Sequence, residues 1–490
     1  MIPAAQKPFT PASTAEYSQG SFRLGTGVNR ATYPGGVHPP ENKWTAESEI
    51  ETIPVSPRFV VPLSQSLGAP SRPVVSEGET VRKGQMIGRP DGFISAAVHA
   101  PTSGAVAGLE RIIDSATGRQ TDAVAIESDG RDAWAEGLGE PREWKNLDAD
   151  AIREAVAAAG VVGMGGATFP THVKLNPPKG RDVDTILING AECEPYLTCD
   201  YRVMLGRAED IVTGLRLCMM ATGAERGCIC IEDNKPAAIA CLQEAAGGHD
   251  GCSVRIFETK YPQGAEKQLI LACLGREVPT GGLPADVGAL VQNVQTARAI
   301  ADAVTRNVPL IERVLTVSGD AAGAPGNFRV RIGTPIAVLL EKAEVHDGFE
   351  ELILGGPMMG KDQFTTDLYV TKGTSGILAM RRAAIYDGGP CLRCGACVRH
   401  CPSSLNPSRL SVLGESFLDG NLDAIDAAID AGLMDCILCG ACAYVCPSQR
   451  RIVHLIEMMR GERRKALQRR REKQEARKAE LKREVEKVGD

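Results

Sequence analysis

Long apolar runs are missing from this chain of 490 residues, since no stretch of eighteen consecutive apolar residues occurs. The sequence therefore predicts no membrane-spanning helix. The first 22 residues also lack the basic start and apolar run of a secretory signal peptide. We therefore expect a cytoplasmic protein. Its length and its content of 43% hydrophobic residues are sufficient for several domains, each with its own core.

A disulfide framework is missing as well, although the chain contains 16 cysteines. Eight of them show no paired spacing and are predicted to be small buried hydrophobic residues in a reducing compartment. These are Cys193, Cys199, Cys218, Cys228, Cys230, Cys241, Cys252 and Cys273.

The other cysteines form two identical runs, Cys-x2-Cys-x2-Cys-x3-Cys-Pro, at residues 391–402 and 436–447. A single run could bind zinc, but zinc sites usually use Cys-x2-Cys pairs, so the repeat favours two [4Fe-4S] clusters. The first three cysteines of a run surround one cluster and leave the fourth out of reach, so we predict that it binds the other cluster. The predicted ligand sets are Cys391, Cys394, Cys397 and Cys446 for one cluster, and Cys436, Cys439, Cys442 and Cys401 for the other.

The segment between the two runs predicts helices rather than a hairpin. Asn406 followed by Pro407 is typical of a helix N-terminus, and Leu410, Leu413 and Phe417 share one helical face. Beyond the second run, residues 460–490 contain 13 Lys/Arg against 7 Asp/Glu. We interpret this +6 tail as a solvated, partly helical extension, with attraction to an anionic membrane surface or acidic partner as the alternative.

Residues 74–106 alternate short β-segments with glycine turns, which resembles the barrel-sandwich domains that carry lipoyl or biotinyl groups. The modifiable lysine of those domains is missing, because residues 94–98 read Ile-Ser-Ala-Ala-Val. A structural or docking role is therefore favoured over a swinging-arm role.

The middle of the chain combines a glycine-rich loop, residues 160–174, with a strand at residues 184–189. Glycines let the backbone approach phosphate closely, although the loop does not fit the dinucleotide fingerprint and could be a plain turn. Glu192 and Glu194 follow the strand, where polar residues face the ligand crevice of an α/β sheet.

Four segments together resemble the flavin- and NADH-binding subunit of respiratory complex I. They are the glycine loop with Phe-Pro-Thr at 169–171, the Asn-x-x-Glu-x-Glu-Pro strand end at 189–195, the Tyr-x-x-Gly-x-Glu turn at 261–266, and residues 291–296. The order of motifs is closer to the RnfC family, NADH-side subunits of Rnf ion-translocating complexes. The additional motifs are Gly-Gly-Val-His-Pro-Pro at 35–40, Gly-Gly-Pro-Met-Met-Gly at 355–360 and the two cysteine runs.

The resemblance implies non-covalent FMN, NAD(H) as substrate and no catalytic acid or base from the protein. The residues it implies around FMN are Gly163, Gly165, Gly166, Lys174, Asn189, Glu192 and Asn293. The residues it implies in contact with the nicotinamide nucleotide are Phe169, Glu194, Tyr261 and Glu266.

We therefore expect an α/β multidomain protein. The expected parts are a barrel-sandwich β domain (1–145), a Rossmann-like FMN/NADH domain (146–312), a β-grasp (SLBB) domain (313–346), a connecting segment (347–385), a helical two-cluster ferredoxin domain (386–452) and a basic tail (453–490).

The expected function is an ion-translocating oxidoreductase subunit that passes electrons between NADH, FMN and two clusters. The implied partners are the integral and peripheral subunits of an Rnf-type complex at the cytoplasmic side of the bacterial inner membrane, with ferredoxin or flavodoxin reached through the complex. No nucleic acid is expected. The alternatives are a soluble cobalamin reductase, a cluster-only wire or scaffold subunit, and a subunit of a NAD-reducing hydrogenase.

Overall fold

A computed structural model describes residues 32–346, 348–383 and 388–488 of the chain. The N-terminal segment considered for a signal peptide and the expected boundary at 385/386 lie outside these residues. Within the described ranges, no helix combines the length and the apolar character needed to cross a bilayer.

The N-terminal region is built from short strands that enclose an apolar core. They are β1 (Ile50–Thr52), β2 (Arg58–Pro62), β3 (Arg72–Pro73), β4 (Thr80–Val81), β5 (Met86–Arg89), β6 (Val98–His99), β7 (Gly104–Ile113) and β8 (Gln120–Ser128). The sheets β2-β8-β7-β4 and β3-β5-β6 enclose Phe59, Val61, Ile87 and Val124. This is the predicted barrel-sandwich domain.

In the segment that would display a modified lysine in a carrier domain, Ile94 is exposed but residues 95–98 are buried. Ala96 and Ala97 are 2% and 1% exposed, and the Lys372 ammonium donates to the carbonyls of Ala97 and Gly160, both at 2.7 Å. A Cβ atom at Gly160 would lie 2.2 Å from the Ala97 carbonyl oxygen, so the backbones meet in direct contact. This buried part of the segment docks onto the neighbouring domain.

The central domain alternates helices and parallel strands. Its elements are α1 (Ala149–Ala158), α2 (Thr171–Lys174), β9 (Thr185–Gly190), α3 (Cys199–Gly206), α4 (Ala208–Thr222), β10 (Arg226–Glu232), α5 (Pro236–Ala246), β11 (Cys252–Phe257), α6 (Glu266–Leu274), β12 (Ala289–Asn293) and α7 (Val294–Arg306). All strand pairs are parallel in the order β11-β10-β9-β12. The order reverses between β9 and β12, which is where α/β sheets open a ligand crevice.

A mixed sheet follows, formed by β13 (Glu312–Ser318), β14 (Gly326–Arg331), β15 (Glu351–Leu354), β16 (Lys361–Asp362) and β17 (Gly376–Met380), with α8 (Ile336–Lys342) between β14 and β15. Its order is β1-β14-β13-β17-β15-β16. This sheet extends beyond the expected domain of residues 313–346. Strand β1 comes from the N-terminal region, and β15 to β17 come from the segment that was expected to be a connection. The reason is long-range pairing: β17 lies parallel to β13 and buries Ile377 and Leu378 completely.

The C-terminal part is helical, as predicted. It contains α9 (Ala396–Arg399), α10 (Pro407–Leu418), α11 (Ala424–Asp430), α12 (Ala441–Tyr444) and α13 (Ile452–Val488). Asn406 caps α10 through its side-chain oxygen, which accepts from the Arg409 amide at 3.0 Å. The expected boundary at 452/453 cuts through a packed helix, because Ile456 and Met459 of α13 are fully buried together with Leu410.

Candidate redox site

Two asparagines lie at the crevice between β9 and β12. Asn189 and Asn293 are register partners at the carboxyl ends of these strands. Asn189 donates to the Gly264 carbonyl at 2.8 Å, and Asn293 donates to the Asp200 carboxylate at 2.6 Å while its own oxygen caps α7. Both side chains are fixed at the switch point of the sheet, where the resemblance expected FMN.

The glycine loop forms an open cradle beside Asn293. Backbone bonds close it, from the Gly163 amide to the Phe169 carbonyl (2.9 Å) and from the Thr168 amide to the Gly163 carbonyl (3.1 Å). Gly165 and Gly166 are exposed, and a Cβ at Gly165 would lie 3.4 Å from the Asn293 Cβ. Gly166 has a φ of +107°, which side chains rarely adopt. The loop fits a flavin nucleotide, because bare backbone faces the crevice.

Lys174 and Glu266 meet across the same crevice. The Lys174 ammonium lies 2.6 Å from the Glu266 carboxylate and donates to the Val291 carbonyl at 2.6 Å. Both side chains are partly exposed, at 28% and 39%. The pair therefore provides one positive and one negative group within reach of a bound nucleotide.

Glu192 contacts the crevice only indirectly, through the start of α3. Its carboxylate accepts from the amides of Asp200 (2.6 Å) and Tyr201 (3.1 Å) at the start of α3. Burial raises the pKa of Glu192 to about 6, with the opposing effect of the Lys43 charge. Because Asp200 in turn binds Asn293, Glu192 positions the crevice rather than facing it.

Glu194 has different surroundings from those expected. Its carboxylate accepts from the Met358 amide at 3.0 Å, and its other oxygen is buried without a partner among the described residues. Burial raises the pKa of Glu194 to about 7, against the backbone hydrogen bonds of Met358 and Met359. A Cβ at Gly356 would lie 2.3 Å from the carboxylate, which explains the glycine in the 355–360 motif. This carboxylate faces the 355–360 turn and not an open nucleotide pocket.

Tyr261 also differs from the expected nucleotide contact. It is 2% exposed, and its hydroxyl donates to the carbonyl of Cys439 in the second cysteine run at 2.7 Å. A Cβ at the neighbouring Gly440 would lie 2.9 Å from the Met358 carbonyl oxygen. Glu194, through Met358, and Tyr261 therefore hold the second cysteine run against the strand end that carries Asn189.

A strap, defined as residues 32–47, joins the same parts and was not anticipated from the sequence. The Gly36 amide donates to the His400 carbonyl at 3.0 Å, and a Cβ at Gly35 would lie 2.6 Å from the Cys401 carbonyl oxygen. The Lys43 ammonium donates to the carbonyls of Glu192 (2.7 Å), Glu194 (2.9 Å) and Leu197 (2.7 Å). The glycine pair in the 35–40 motif was the available signal, since adjacent glycines permit such close backbone contact.

The cysteines of the two runs gather into two groups. Group 1 consists of Cys391, Cys394, Cys397 and Cys446, which line one cavity. Group 2 consists of Cys401, Cys436, Cys439 and Cys442; burial, and next the neighbouring thiols of the group, raise the pKa of Cys442. The fourth cysteine of each run thus lies beside the first three of the other, and four converging thiols are the donor set that a [4Fe-4S] cluster needs.

The two groups differ in exposure. Cys394 of group 1 is exposed, whereas Cys401, Cys439 and Cys442 of group 2 are 8%, 6% and 9% exposed. Group 2 contacts the central domain through the hydrogen bond from Tyr261 to Cys439, whereas group 1 lies toward solvent. The remaining cysteines are buried or half-buried, in keeping with the prediction.

Three family models match separate parts of the chain. The RnfC barrel-sandwich hybrid domain matches residues 31–131, the Nuo51 FMN-binding domain matches residues 156–302, and the 4Fe-4S dicluster domain matches residues 383–447. Together with the crevice and the cysteine groups, these matches define a flavin- and iron-sulfur-dependent electron-transfer protein.

Curated relatives share most of the chain. The C subunit of the proton-translocating ferredoxin:NAD(+) oxidoreductase complex of Clostridium ljungdahlii is 47% identical, with 89% of this chain and 94% of the relative covered. The C subunit of the Na(+)-translocating complex of Acetobacterium woodii is 45% identical, with 78% and 87% covered. The C subunit of the ion-translocating oxidoreductase complex of Rhodobacter capsulatus is 43% identical, with 77% and 74% covered. The chain belongs to this family of C subunits, the RnfC family.

Proposed function

We propose that this chain is the NAD(H)-side subunit of an ion-translocating ferredoxin:NAD+ oxidoreductase. It passes electrons between NAD(H), FMN and two [4Fe-4S] clusters, and exchanges them with the other subunits of the complex. The observation that carries the proposal is the contact between the central domain and the second cysteine run. Tyr261 makes it directly on Cys439, and Glu194 supports it indirectly by binding Met358, whose carbonyl lies beside Gly440. Hydride chemistry and one-electron chemistry are supplied by the flavin and the clusters when bound.

The chain's own residues provide the binding and the positioning. The exposed backbone of Gly165 and Gly166, together with Asn189 and Asn293, would hold FMN at the switch point. Lys174 and Gly163 complete this set, and Glu192 orients it through the start of α3. This is the arrangement in which open α/β sheets bind nucleotides, so we assign the central domain as Rossmann-like.

For the nicotinamide nucleotide, the partly exposed Lys174–Glu266 pair and the half-buried Phe169 are the available contacts at the crevice. Glu194 and Tyr261 are reassigned from the nucleotide to positioning the second cysteine run. We also assign the mixed sheet around β13 and α8 to the β-grasp domain, extended from the expected 313–346 to include β15, β16 and β17.

From these contacts we also propose the order in which electrons pass through the two clusters. Group 2 lies next to the flavin domain and would exchange electrons with FMN, and group 1 would follow as the outer cluster. Around group 1, residues 391–412 contain Arg393, Arg399 and Arg409, all exposed, and no Asp or Glu. This positive surface with the exposed Cys394 suits an electron-transfer partner that presents an acidic face.

The partners are proposed to be the integral and peripheral subunits of the complex, with ferredoxin or flavodoxin reached through them. The chain would be peripheral on the cytoplasmic face of the bacterial inner membrane. The +6 tail supports this proposal through its attraction to anionic lipid, which is worth about 1 kcal/mol for each Lys or Arg near the surface.

Anaerobic purification followed by flavin and iron analysis tests the proposal. We expect one non-covalent FMN and about eight iron atoms per chain, following from two four-iron clusters. NADH should bleach the flavin and then produce the EPR signals of reduced clusters. A chain with a full iron content but no flavin would instead be a cluster-only wire, and bound flavin that NADH does not reduce would contradict the NAD(H) assignment.

A further inference from the structure

Three cysteines outside the two runs converge in the core of the central domain. Cys228 and Cys230 are two residues apart on β10 and therefore point to the same face of the sheet. Helix α6 contributes Cys273, and the three residues are 4%, 0% and 4% exposed. The Cys230 sulfur lies 4.0 Å from that of Cys228 and 3.8 Å from that of Cys273, and all three sulfurs lie within 4.8 Å of one another.

These separations match the edges of a metal-thiolate polyhedron. Sulfurs bound to one zinc ion at about 2.3 Å are about 3.8 Å apart in tetrahedral geometry and about 4.0 Å apart in a trigonal plane. Two of the three separations in the core of this domain have these values.

The charge balance indicates the class of cation. A buried ionic group is tolerated only when its charge is compensated. The Arg255 guanidinium donates to the Cys273 carbonyl and lies 3.5 Å from the Cys273 sulfur, which places a positive charge at the edge of the cluster. A divalent cation would offset two of the three thiolate charges, whereas a monovalent cation would offset only one.

We propose that Cys228, Cys230 and Cys273 form a three-thiolate site for a thiophilic divalent cation of the Zn²⁺ class. The ion would join β10 to α6. It would lie close to the flavin crevice, because Cys230 is the register partner of Asn189 and α6 carries Glu266. Its role would be structural, since metal binding to deprotonated thiols contributes directly to folding. The site involves neither cysteine group and is independent of the proposed function.

The test is metal analysis of the full-length protein with its clusters. In anaerobically purified chain supplied with Zn²⁺ and then desalted, we expect about one zinc per chain for one three-thiolate site, alongside about eight iron atoms. Sulfur-only coordination of that zinc in X-ray absorption would identify thiolate ligands.

Cys230→Val is the decisive variant, because valine fills a similar volume and keeps the apolar packing but cannot bind metal. Zinc should fall about tenfold or more while iron stays at the wild-type value. Cys218→Val, at a fully buried cysteine on α4, is the matched control and should keep its zinc.

Several results would overturn the proposal. These are absence of zinc from the wild-type chain after supply, zinc coordinated by nitrogen or oxygen alone, or zinc retained in Cys230→Val at full iron content. If Cys230→Val does not fold, Cys273→Ala, at the edge of the cluster, replaces it in the same assay with the same expected loss. The wild-type X-ray absorption result decides independently of either variant.

Discussion

The hydrogen bond from Tyr261 to Cys439 is the contact whose removal tests the proposed electron path most directly. Tyr261→Phe keeps the ring and its packing but removes the hydroxyl that donates to the Cys439 carbonyl at 2.7 Å. Tyr261 is 2% exposed, so little water can replace the lost donor. Leaving a buried acceptor unsatisfied costs about 1–3 kcal/mol, which corresponds to about a 5- to 150-fold change in an equilibrium constant.

The affected equilibrium is the one between the seated and the unseated second cysteine run. We expect flavin reduction by NADH to be unchanged, because the crevice residues are untouched, while reduction of the group 2 cluster slows. Anaerobic stopped-flow absorbance would report the flavin, and rapid-freeze EPR would report the clusters.

Tyr201→Phe, which removes a hydroxyl from α3 in the same domain, is the matched control and should leave both phases unchanged. A raised KM for NADH in Tyr261→Phe, with cluster reduction at the wild-type rate, would refute the reasoning. That result would return Tyr261 to the nucleotide contact that the family resemblance implied.

Four further predictions concern the clusters, the strap, pH and the tail. Cys401→Ser should disturb chiefly the cluster of the second run by EPR, and a change confined to the first run would contradict cross-ligation. Gly36→Ala should lower the apparent melting temperature more than Gly137→Ala, because both have positive φ but only Gly36 meets neighbours within 3 Å. Burial raises the pKa of Glu194 to about 7 from 4.5, so the stability that its neutral form provides is present below pH 4.5 and is lost as the pH rises through 7. Glu194→Gln should therefore reduce the pH dependence of the melting temperature over this range. An unchanged profile would show that Glu194 is not a source of that dependence. Removing residues 461–490 should leave flavin and iron intact but reduce co-sedimentation with membranes in a salt-sensitive way, and equal retention of both chains at every salt concentration would return the tail to a solubilising role.

Features set by short-range sequence were predictable. The start of α10 follows from Asn406 and Pro407, because a cap depends on neighbouring residues alone. The cysteine spacing likewise predicted that the fourth cysteine of each run would lie beside the first three of the other run. The reason is local, because the fourth cysteine of a tight loop cannot reach the site that its first three cysteines surround. The glycine loop and the strand end also lie together as expected.

Features set by distant neighbours were not predictable. The sequence motif places Glu194 and Tyr261 after their strands but does not determine what covers them, and here the 355–360 turn and Cys439 do so. The pairing of β17 with β13 and of β1 with β14 joins segments far apart in the chain, where no local periodicity signals the partner. The role of Lys43 was hidden for the same reason, because its three acceptors lie about 150 residues away.

Helix α13 has a geometric consequence for the complex. It begins within the apolar core of the cysteine domain, where the Arg460 guanidinium also binds the Cys436 carbonyl at 2.6 Å, and it continues without a break to Val488. At about 1.5 Å per residue its 37 residues make a rod of about 55 Å. Any surface that binds the far end of this rod therefore fixes its own distance and rotation angle relative to the group 2 cysteines. Inserting a single residue after residue 460 would turn the far end by about 100° without altering one ligand.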